Sequence, residues 1–172
     1  MNNSNKINII RYDELNLWDY GSLLIYFLIS MVVSFTTYYE FENWEMIMLM
    51  YSFATPLFLY LLNYKSLRKF NVYLVWLIFS FFHLWVYFEL KVKYNSDIRL
   101  EYYIKRLPYI FLFLVYFQIA RIIHIKIKNI ELVSPAWGQS YDIYDLRKIK
   151  FLDYLFFVIF ILLWVIFFPN IT

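Results

Sequence analysis

Apolar residues gather in five runs, at 21–39, 46–62, 72–88, 107–124 and 151–168, and charged residues fall almost entirely between them. A membrane-crossing helix needs about 20 mostly apolar residues, because each adds about 1.5 Å against a hydrocarbon core of about 30 Å. The pattern therefore predicts an all-α transmembrane bundle of about five spans, one membrane domain over 1–172, with an extended loop at 125–150. The alternative is four spans plus one re-entrant or interfacial helix. The fourth run is shortest at 107–120, and carrying it to His124 takes Arg121 to headgroup level, where a long side chain can reach water.

The connections sort by charge. The first, around 38–45, holds Glu40, Glu42 and Glu45 and no base; the second holds Lys65, Arg68 and Lys69 and no acid. Lys and Arg are retained on the cytoplasmic side of a membrane. The N-terminus, with Lys6 and Arg11, is thus expected inside, together with the loop that brings Arg121, Lys126, Lys128, Arg147, Lys148 and Lys150. Eleven basic residues then lie inside against five outside. The connection at 89–106 fits least well, since Lys91, Lys93, Arg99, Lys105 and Arg106 are only partly offset by Glu89, Asp97 and Glu101.

Within the long loop, Ile123, Ile125 and Ile127 alternate with His124, Lys126 and Lys128, a period of two that predicts a β-strand or a helix end at the headgroups. Pro135 and Gly138 mark a turn. Beyond it, Asp142 is placed to cap a short helix, with Asp145 and Lys148 as a pair three residues apart. An echo links LWDY (17–20) to FLDY (151–154); each puts an aspartate, Asp19 or Asp153, in the first turn of a span, where a carboxylate complements the helix dipole.

Composition sharpens the class. The chain is 63% hydrophobic and 25% aromatic, well above the roughly 45–50% apolar content of soluble domains. Many aromatics, among them Trp18, Tyr20, Tyr38, Tyr39, Trp44, Trp85 and Tyr87, fall near span ends, as interfacial belts do. The net charge of +3 belongs to cytoplasmic loops, and no nucleic-acid partner is expected. Without cysteine there is no disulfide, thiolate metal site or thiol nucleophile. The first run starts too late and is too long for a cleaved signal, so it is expected to be retained.

Candidate chemistry rests on polar residues that interrupt the runs, since such groups are costly in lipid. His83, inside the third run, is either a ligand, proton carrier or gate, or an internally hydrogen-bonded histidine. Thr55 and Pro56 interrupt the second run and predict a kink. Ser30 and Ser34 provide a small-residue face for close helix contact. Gln118, Arg121 and His124 share one side of the fourth helix near its cytoplasmic end, as a headgroup-binding face or an anchor. Asp142, Asp145 and Arg147 complete the cytoplasmic-face candidates. No HExxH, GxSxG or phosphate-binding glycine loop is present, and no metal or cofactor is expected.

These features point away from an enzyme. The expected function is that of an accessory, immunity or defence-type protein of a bacterial inner membrane, whose partners are the lipid bilayer and another membrane protein or itself. Two other classes remain: a small transporter or channel with a polar path near His83, and a lipid-modifying enzyme at the cytoplasmic face.

Overall fold

A computed structural model describes residues 7–94, 103–135, 141–142 and 145–166. It is an all-α bundle. Four long helices are α1 (Leu17–Tyr38), α2 (Trp44–Leu61), α3 (Phe70–Lys93) and α4 (Pro108–Lys128). A shorter α5 covers Phe151–Ile166. A 3-10 turn at Ser66–Arg68 joins α2 to α3, and a two-stranded ribbon, β1 (Tyr141–Asp142) and β2 (Arg147–Lys148), precedes α5.

Local chemistry sets the helix ends. Asn16 caps α1: its Oδ1 accepts from Asp19 N (2.9 Å), while Asp19 Oδ2 accepts from Asn16 N (2.8 Å). Asn43, with φ 62°, enters the left-handed region before α2, and Asn129, with φ 51°, does so after α4. Asparagine tolerates that conformation because its short polar side chain bonds locally. Pro108 occupies the first position of α4, where no N–H is needed. Ser30, Thr37 and Thr55 donate to carbonyls four residues back, at 2.7, 2.8 and 2.7 Å, which satisfies their hydroxyls inside apolar helices. Pro56 withdraws an N–H from α2, yet the helix continues through it.

Among the described residues, four helices are long and apolar enough to cross a membrane. The doubtful fourth run is one of them: α4 has 21 residues, about 32 Å. The short one is the fifth, with 16 described residues, about 24 Å; positions 167–168 of that run lie outside the described residues.

One alternative is decided and one expectation is corrected. Of the strand and the helix end expected for the period-two stretch at 123–128, it is the helix end, because burial follows helical spacing. Arg121, His124 and Ile125 face inward, while Ile123 and Ile127, which a strand would put on one face with Ile125, are exposed. The short helix expected after Asp142 is the antiparallel ribbon, with Tyr141 opposite Lys148 and Asp142 opposite Arg147. Asp145 pairs with Arg68, not Lys148. Of the expected turn at Pro135 and Gly138, positions 136–140 lie outside the described residues.

The helices alternate direction. The starts of α1, α3 and α5 and the ends of α2 and α4 share one end of the bundle, bound together by Lys69–Asp19 (2.6 Å), Trp18 Nε1 to Asn63 Oδ1 (3.0 Å) and Gln118 Nε2 to Leu67 O (3.1 Å). At the opposite end, Glu40 pairs with Lys93 (2.5 Å) and Trp44 stacks on Tyr94. The Lys93 bond to Glu40 accounts for one of the charges that fitted the 89–106 connection poorly; positions 95–102 of it lie outside the described residues. Between the ends, the core is aromatic: Trp76 lies 4.5 Å from Tyr26, and Tyr60 stacks on Phe160 at 4.4 Å, tying α1 to α3 and α2 to α5.

Candidate functional site

Three features carry the polar and open parts of the bundle. The first is His83. It is 2% exposed on α3, and its Nε2 meets the hydroxyls of Tyr26 on α1 (3.1 Å) and Tyr51 on α2. Tyr51 also bonds Ser30 of α1 (2.6 Å). Of the small-residue face predicted on α1, Ser30 therefore makes the α1–α2 contact. Thr55 supports the cluster indirectly, through its bond to the Tyr51 carbonyl. His83 is thus clasped by two helices. Pro56 lies elsewhere, lining a small gap against Tyr116, Phe160 and Trp164.

The second feature is an ionic layer at the end where α1, α3 and α5 begin. Arg121 forks onto Glu131 through Nε (2.8 Å) and Nη2 (2.7 Å) and donates from Nη1 to Ile9 O (2.9 Å). Gln118 stands 3.5 Å from Arg121, so the predicted face on α4 is real but turned inward. Arg147 forks onto Asp153 at 2.9 and 2.8 Å. Asp153 is fully buried and also accepts from Val133 N (3.2 Å) and Lys150 N (2.9 Å). His124 sits between two acceptors, with Nδ1 3.0 Å from Ile130 O and Nε2 3.3 Å from Asp153 Oδ1.

Arg68 binds Asp145 (2.6 Å), and Tyr64 donates to Asp142, whose other oxygen accepts from Asp145 N (2.6 Å). Burial, reinforced by the bond to Asp142, pushes the Tyr64 hydroxyl well above its ordinary range, so it stays a donor. Each cytoplasmic-face candidate is therefore held by another residue of the chain. Asp153, Glu131, Arg68 and the Asp19–Lys69 pair were not among the predicted site residues. The LWDY/FLDY echo was their one trace: Asp19 and Asp153 are both fully buried, and each pairs with a base.

The N-terminal segment straps this end. Ile7 N donates to Asn129 Oδ1 (3.1 Å), and the carbonyls of Ile9, Arg11, Asp13 and Glu14 accept from Arg121, Phe70 N (2.8 Å), Asn71 Nδ2 (3.0 Å) and Lys69 Nζ (2.8 Å).

The third feature is a groove between α1 and α2 of about 680 Å³. One wall is the row Leu17, Gly21, Ile25, Ile29 and Val33; the other is Met46, Met50, Ala54 and Phe58. Each row steps by four residues, the ridge along which helices interdigitate. From Leu17 to Val33 the groove spans 16 residue steps, about 24 Å. Tyr26 and Tyr51 form its floor, and α3 seals it behind through His83. Its rims are open: Ile25 is 59% and Met50 57% exposed. Nothing stands within 4 Å of where a Gly21 side chain would begin.

The fold and these features define the class: a polytopic helical membrane protein, its apolar helices suited to contact with the bilayer. No protein-family model matches the chain, and neither the curated proteins nor the solved structures contain a significant match.

Proposed function

We propose that the protein is a non-enzymatic accessory of a bacterial inner membrane, with its N-terminus in the cytoplasm, and that it acts by holding a transmembrane helix of a partner in the α1–α2 groove. The groove carries this proposal. It is flanked by two rows with the spacing that helix packing uses, about 24 Å long on α1 and about 18 Å long on α2. Met46 and Met50, flexible and polarisable, adapt to a neighbour's side chains, and Gly21 and Ala54 keep the walls low enough for close approach.

The alternatives draw less support. The candidate bases and acids of the cytoplasmic face are occupied with one another, which favours a structural role over catalysis at that face. His83 is bonded to two tyrosines in a closed contact, which favours a clasp over a conducting path. The proposed orientation is supported by the outward-facing Lys126, Lys128, Lys148 and Lys150 at the strapped end, where the acids Asp19, Asp142 and Asp153 face inward.

A photo-crosslinking amino acid at Ile25 or Met50, in native membranes, is expected to give a protein adduct of discrete mass. At Ile78, exposed on α3 at a similar depth, it should give lipid adducts only. Loss of the Ile25 adduct in Ala54→Phe would tie it to the groove; equal adducts at Ile25 and Ile78 would refute the proposal.

A further inference from the structure

The mouth of the groove away from the strap is acidic. Glu40 is occupied by Lys93 and Tyr94, but Glu42 and Glu45 make no ion pair with any described residue. Glu45 sits in the first turn of α2, where the helix dipole favours it. Glu42 is exposed and has no such support. It lies in the turn that joins α1 to α2 at this end of the groove, two residues ahead of the first residue of α2.

Resting on the docking role proposed above, we infer that the occupant is a transmembrane helix of a different protein whose end beside the 39–45 turn carries lysine or arginine. The row spacing fits a helix, and the acidic mouth selects its end. Two copies of this chain facing each other about a two-fold axis, inserted the same way, would set the Glu42 residues against one another. An anionic lipid headgroup at this mouth would meet the same repulsion. A basic residue here also runs against the usual retention of Lys and Arg on the cytoplasmic side, so few helices carry one. That rarity makes the feature selective, and it fixes which way the partner helix points.

The test uses the full chain in phosphatidylcholine vesicles. Because the protein has no cysteine, Tyr38→Cys accepts a single donor fluorophore. The probes are two synthetic Leu/Ala transmembrane peptides, ending in two lysines or two glutamates, with the acceptor at that charged end. Energy transfer should be stronger with the lysine probe. Glu42→Gln with Glu45→Gln should weaken it about threefold to fivefold per pair removed, and added salt should act the same way. Gly21→Leu with Ala54→Phe, both at open positions, should abolish it while the circular dichroism melt is retained.

Equal transfer to both probes, insensitive to the glutamate changes but lost on filling the groove, would overturn the charge selection and leave helix docking standing. Transfer that survives filling the groove, or none with either probe, would overturn both. Transfer between two labelled copies without peptide, lost on filling the groove, would put a second copy there and refute the inference.

Discussion

At His83 the cost of a polar atom in hydrocarbon is met by side chains from two neighbouring helices. Ser30 gives its only proton to the Tyr26 carbonyl, so the hydrogen in its contact with Tyr51 comes from Tyr51. With that proton committed to Ser30, the short contact between Tyr51 and His83 is satisfied when Nε2 carries the hydrogen. The three residues are therefore coupled. His83→Phe should destabilise the bundle by about 1–3 kcal/mol, because it takes the partner from the buried Tyr26 hydroxyl and one of two partners from Tyr51. Tyr51→Phe added to it should cost less than the sum of the single changes, since the contact between the two residues is lost only once. Thermal unfolding in detergent, followed by circular dichroism across this double-mutant cycle, measures the coupling; strict additivity would contradict it. His83 was legible in the sequence because histidine is rare inside an apolar run. Its partners were not, because two of 18 tyrosines carry no mark that separates a clasp from packing.

Among the elements, α5 depends most on one residue. Its described part is the shortest of the five α-helices, and its first turn is fastened by Asp153 to Arg147, to His124 and to the backbone at Val133 and Lys150. Farther along, Phe160 stacks on Tyr60 and Trp164 packs on Phe53. Removing one partner of a buried ion pair costs about 3–5 kcal/mol, because the other charge is left uncompensated. Asp153→Ala should lower stability by that order and expose the 129–150 segment to limited proteolysis in detergent, while α1 to α3 stay protected. Uniform digestion of the whole chain would argue instead for global unfolding.

The same scale marks where pattern failed. Alternation at 123–128 suits a strand by count, yet within a helix the residues spaced by three and four, Arg121, His124 and Ile125, are the ones that meet Glu131 and the loop. Similarly, Asp142 was legible as a local cap, but its carboxylate faces Tyr64, 78 residues away in the chain. Partners at such separations leave no local periodicity. The groove rows were visible as four-residue spacing once the helices were assigned; that no described helix covers them is a property of the assembled bundle alone.

For the whole molecule, charge is sorted by depth as well as by side. At the strapped end Asp19, Asp142 and Asp153 turn inward while Lys65, Lys126, Lys128, Lys148 and Lys150 turn outward, whereas at the opposite mouth Glu42 and Glu45 pair with no described residue. This asymmetry predicts orientation. In spheroplasts of a bacterial host, a cysteine at Glu42 should react with an impermeant maleimide, and one at Lys126 should react only after permeabilisation. The reverse pattern would invert the proposed topology.

The strap also has a consequence for how the protein is made. The carbonyls of residues 9–14 precede α1 in the chain, yet their donors are Lys69, Phe70, Asn71 and Arg121, which lie in or beside α3 and α4. A nascent chain thus cannot fasten residues 11–14 until the start of α3 has left the ribosome, nor Ile9 until its fourth helix has. Before α3 emerges nothing in the strap holds α1 in place, and its insertion can still be corrected. Arg121 closes the latch, late in synthesis, on a membrane entry begun early.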